Sequence, residues 1–114
     1  MTAPQLVKGR AYYRITYAAA NLTIPALQPM IYVGSNIFPD DDHSVVTHYC
    51  QDTISYFQVG AATSLATKQS ASDVDIQVFP FHADEVGASL LTLQDAIKAL
   101  QDALARSDDS AASL

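Results

Sequence analysis

SVVTHYCQDTISYFQV, residues 44–59, decides how many strands this 114-residue chain can build. Read at a period of 3.6, Val45, Val46, Tyr49, Cys50, Thr53, Ile54 and Phe57 fall on one face. Thr47, His48, Gln51, Asp52, Ser55 and Gln58 fill the other. Residue preference points elsewhere, because Val, Thr, Ile, Tyr and Phe favour pleated strands. Periodicity reports burial directly, so the spacing predicts a second short helix within 44–59, with a short strand before it as the variant. Asp42 or Ser44 would cap that helix. The choice also sets the geometry of a candidate site. On a strand His48 and Cys50 share a face; on a helix they diverge by about 200°.

Those two residues belong to DDDHSVVTHYC, residues 40–50, which gathers three aspartates, two histidines and the single cysteine. Tetrahedral zinc sites use paired short ligand spacings, and His43, His48 and Cys50 do not supply one. The aspartates lack the alternating ligands, glycine and closing glutamate of a calcium loop. An acidic turn is the favoured reading, with no metal and no cofactor expected. Cys50 sits among apolar neighbours without a nucleophile motif, so a small buried hydrophobe is expected and no catalytic residue is assigned.

Outward from this stretch the elements are plainer. Residues 8–17, KGRAYYRITY, alternate as a strand: Ala11, Tyr13, Ile15 and Tyr17 on one side, Lys8, Arg10, Tyr12, Arg14 and Thr16 on the other. After a link with Pro25 and Pro29, residues 30–38 form a second expected strand, ended by Pro39 and the aspartates. Residues 60–72 read as a loop of small polar residues. DVDIQVFPF, residues 73–81, is the third strand, with Pro80 placing its end at a sheet edge. Val86, Leu90, Leu93, Ile97, Leu100 and Leu104 follow at spacings of 4, 3, 4, 3 and 4, the seam of a helix from Asp84 to Arg106. Such a helix would be ~35 Å long and would cross the whole domain. The expected fold is α+β: a small antiparallel sheet of three to four strands, with the long C-terminal helix packed on one face. A single domain over 1–106 and a frayed polar tail over 107–114 complete it.

Six Lys and Arg stand against twelve Asp and Glu, a formal charge of −6. Residues 1–17 carry three cations and no acid; the remainder carries three cations and twelve acids, or −9. A general nucleic-acid binder is disfavoured by that balance. One unpaired cysteine and the lack of a signal-like start favour a reducing, cytoplasmic setting, and no apolar run is long enough for a bilayer.

Three functions stay open. The leading one is a non-enzymatic interaction or accessory protein, which binds another protein or a second copy through its acidic surface or long helix. The second is a small-molecule-binding domain or small enzyme near the strand–helix junction at 79–85. Its pocket would be built by Tyr13, Tyr17, His48, His82 and Asp84. The third is nucleic-acid binding through the strand face Lys8, Arg10, Tyr12 and Arg14, where cations alternate with an aromatic ring. The competing account of that face is cross-strand pairing with Asp73 and Asp75.

Overall fold

The computed structural model describes residues 5–18, 20, 22–63 and 75–112. Five strands form one antiparallel sheet: β1 (Ala11–Tyr17), β2 (Pro25–Ser35), β3 (Thr47–Asp52), β4 (Val78–His82) and β5 (Leu90–Leu91). Their order is β4-β3-β2-β1-β5. Helix α1 (Thr53–Val59) follows β3 directly, and helix α2 (Leu93–Ala112) ends the described chain.

The fold class is therefore α+β as expected, with one strand more than the three to four read from the sequence. Residues 44–59 resolve into both variants in succession, a strand and then a short helix. Asp52 makes the switch possible: its carboxylate accepts bonds from the Ser55 amide at 2.8 Å and from the Ser55 hydroxyl. This caps α1 eight residues after Ser44, the later of the two expected caps. The extra strand, β5, lies inside the stretch expected to open the long helix. Gly87, at φ 91°, turns the chain, and Leu90 and Leu91 pair with Arg14 and Tyr13. The helix begins only after Thr92, whose hydroxyl accepts from the Asp95 amide at 3.2 Å. It then runs through residues 107–112, which were expected to be tail. Strand β2 starts at Pro25, five residues before the expected Met30. Prolines fit there because residues 25–29 pair with β1 alone; β3 joins only from Met30 onward. The expected third strand shortens to β4, with Asp73 and Val74 outside the described residues, as are residues 64–72 of the loop.

The sheet is rolled. Cross-strand partners share a face, so Tyr12, Met30, Tyr32, Cys50 and Phe79 face one way, together with Arg14, Leu90 and Phe81. Tyr12, Met30, Tyr32, Cys50, Phe81 and Leu90 close into one cluster drawn from all five strands. In a flat sheet β1 and β4 would lie ~14 Å apart across two intervening strands. Yet the Arg14 guanidinium stacks 4.8 Å from the centre of the Phe79 ring. The outer strands β4 and β5 are joined by residues 83–89 alone, with a 3-10 turn at Ala83–Glu85. That short link holds the two edges near each other.

The convex face carries the helices. Ile15 and Leu91, with Tyr13, Tyr17 and Leu27 beside them, pack against Ala96 and Ala99 of α2. Farther along, Arg106 donates two bonds to the Leu22 carbonyl at 3.1 and 2.8 Å, tying the helix to the β1–β2 loop. Over β3, α1 is held by Gln51. This fully buried amide donates to the Ser55 hydroxyl (2.9 Å) and the Gly60 carbonyl (3.1 Å), and accepts from the Ala62 amide (2.8 Å).

Candidate functional site

The decisive surface is on α2, where the expected inward seam points out. Ala96 and Ala103 are 2% and 3% exposed, whereas Leu93, Ile97, Leu100 and Leu104 are 57%, 49%, 42% and 62% exposed. One physical reason accounts for this. The convex sheet face presents tall side chains, Tyr13, Tyr17 and Leu27, so the helix can approach only through its small ones. Ile97, Leu100 and Leu104 each follow a docked alanine by one residue. The aliphatic stripe is thus the alanine stripe turned through about 100°. Of the earlier seam only Val86 and Leu90 lie in the interior, and both precede the helix.

The stripe keeps spacings of 4, 3 and 4, the register of a helix-pairing seam. Ile97 and Leu104 occupy one of its two inward positions and Leu93 and Leu100 the other. Gln94 and Gln101 flank it on one side, the docked alanines on the other. Asp95, Lys98 and Asp102 all fall more than about 100° from its centre. Leu22 and Ile24, also exposed, add aliphatic surface on the loop held by Arg106.

The other candidate residues separate. Tyr13 and Tyr17 lie on the convex face against α2, while His48 lies on the concave one, its Nδ1 3.1 Å from the Tyr32 hydroxyl. His82 and Asp84 are exposed near the end of β4 and in the 3-10 turn, where the His82 amide donates to Glu85. The long helix expected to start at Asp84 does not form there. The basic strand face does not form either. Tyr12 is buried, accepting from the Val7 amide and donating to the Gln5 carbonyl, and Arg14 spans Phe79 and Gln28. Lys8 and Arg10 remain exposed. Rolling turned the apparently polar side of β1 into a second interior.

The acidic turn is structural. Asp41 accepts from the Phe38 amide and from the Tyr49 hydroxyl (2.6 Å), and Asp42 accepts from Ser44. The Asp41 bond keeps the Tyr49 hydroxyl protonated, raising its pKa. His43 is exposed on this turn. Burial lowers the pKa of His48, so its ring is neutral at pH 7. His48 and Cys50 do share a face, as strand geometry requires, but no cluster of three His, Cys, Asp or Glu suited to a metal forms among the described residues. Burial pushes the Cys50 thiol up to about 12. A thiol that titrates so high is protonated, and so a poor nucleophile, throughout pH 6–9. Iodoacetamide at pH 8 should therefore leave Cys50 unlabelled in the folded chain and label it fully in denaturant, as read by intact mass. Rapid native labelling would contradict this placement.

Among the described residues no helix is long and apolar enough to cross a membrane. Comparison with protein-family models, with curated proteins and with solved structures finds no match.

Proposed function

We propose that this chain is a non-enzymatic protein-interaction module that works as a helix-paired homodimer. The observation that carries the reading is the outward, heptad-spaced stripe Leu93, Ile97, Leu100 and Leu104 on a helix already anchored by its alanine face. Exposed aliphatics scattered singly need no partner; four in pairing register are a surface built to be covered. Charge selects the occupant. Two copies at −6 each repel in general, yet the stripe and its glutamine flank are uncharged, so two acidic chains can meet here without opposing carboxylates. Ile97 at one seam position, with Leu93 and Leu100 at the other, suits two strands, although Leu104 repeats the first position without β-branching. A two-fold axis would bring the same patch of each copy together. The seam is two heptads long, so the pairing is reversible, with dissociation on the order of micromolar. A reducing, cytoplasmic setting belongs to the proposal and is supported by the lone, buried thiol.

Sedimentation velocity over a concentration series tests it. The native chain should shift from monomer to dimer across the micromolar range. Leu100→Glu should stay monomeric at least ~100-fold higher in concentration, because like charges would face each other in the desolvated seam. A native chain that is monomeric throughout, or a Leu100→Glu variant that pairs equally well, would overturn the proposal.

A further inference from the structure

A second feature lies away from the helix seam, in a cleft of about 440 Å³ between α1 and the start of the sheet. Its walls include Val33, Ile37 and Ala61, with the Tyr56 ring from α1 and the Gly9 backbone beside it. Local backbone makes the opening. The β2–β3 register shifts between Tyr32 and Gly34, and Gly34 sits at φ 137°. A side chain there would meet Ile37 Cγ2 at 2.9 Å and Lys8 Cε at 3.4 Å. The absence of one lets the Lys8 stem lie on the strand and carries its ammonium to the cleft.

Charge is sorted around this cleft. Twelve acids and six Lys and Arg are spread over the chain, but the eight lining residues among those described include one cation and no carboxylate. A second cleft of similar size beside α1 is lined instead by Asp52 and Asp75. Neither the Lys8 ammonium nor the Tyr56 hydroxyl bonds to another group among the described residues. We infer that the cleft binds a small organic monoanion, with its carboxylate on Lys8 and the Tyr56 hydroxyl and an apolar or aromatic body against Val33, Ile37 and Ala61. The volume suits such a ligand: small-molecule sites of this kind are mostly apolar, with a few placed polar groups. The site is independent of helix pairing.

Titration of the full-length chain with phenylacetate, followed by amide ¹H–¹⁵N shifts, tests the inference. Saturable shifts are expected at Gly9, Val33 and Ala61, with phenylacetamide binding at least ~10-fold more weakly because it lacks the charge. Lys8→Met keeps the stem on Gly34, so the spectrum should persist while phenylacetate affinity falls about as far. Tyr56→Phe should weaken binding less and leave the fold intact. No saturable shift at millimolar phenylacetate would overturn the site. So would shifts confined to other residues, or equal affinity of the native chain for the amide, or of Lys8→Met for the acid.

Discussion

Gln51→Ala should destabilise the chain by about 2–4 kcal/mol, read from urea midpoints. The side chain is wholly buried and joins three groups, the Ser55 hydroxyl, the Gly60 carbonyl and the Ala62 amide. Truncation leaves the Gly60 carbonyl and the Ala62 amide without this partner, while the Ser55 hydroxyl keeps its bond to Asp52; each buried unsatisfied group costs about 1–3 kcal/mol. Part of that is recovered by relaxation of α1 and its exit loop, which keeps the total below the simple sum. Gln58→Ala on the exposed side of the same helix is the control, expected within ~0.5 kcal/mol of the native chain. Equal midpoints for the two variants would mean that Gln51 does not hold α1 to the sheet.

The second large effect inverts the usual ranking of alanine and leucine. Ala96→Leu should cost about 1–3 kcal/mol, because the added atoms have to enter a contact filled by Ile15 and Leu91. Leu100→Ala should change monomer stability by no more than ~0.5 kcal/mol, since the side chain it removes lies largely in solvent and alanine is a good helix former. Both are measured at concentrations low enough to keep the chain monomeric. If the leucine stripe were the core-facing side, the order would reverse, with Leu100→Ala the costly change.

That inversion marks the limit of what could be read from the sequence. The spacing of 4, 3, 4, 3 and 4 found the helix over 93–106 but started it nine residues early, at Asp84, because periodicity reports only that one side differs from the rest. It could not say which side docks, because that depends on the height of Tyr13, Tyr17 and Leu27 on a sheet assembled from distant segments. The same reason hid the concave core. Alternation along β1 separated Tyr12 and Arg14 correctly from Tyr13 and Ile15, but a period of two cannot tell a solvated face from one rolled inward. Tyr12 was the available signal, a large ring among cations on a supposedly wet side. β5 escaped because two residues carry no period, and because Leu90 and Leu91 fit a helical pattern equally well. Gly87 and Thr92 marked the true helix start. For residues 44–59, preference found the strand and periodicity the short helix, with Asp52 at the join, but the face read as buried is the outer one in α1: Ile54 and Phe57 are exposed and Ser55 is buried. The dispersed pocket residues had no sequence signal that placed them together. The Lys8 cleft was equally invisible, since it depends on a register shift at Gly34.

Isotope-filtered NOE spectroscopy on a mixture of ¹³C-labelled and unlabelled chains tests the central claim most directly. At concentrations well above dissociation, the labelled Ile97 methyl groups should show contacts to leucine methyl groups of the unlabelled copy, whichever way the two helices run. Filtered contacts that instead connect other surfaces, such as Ile54 and Phe57 on α1, would contradict the account. The absence of any intermolecular contact to Ile97 would contradict it equally.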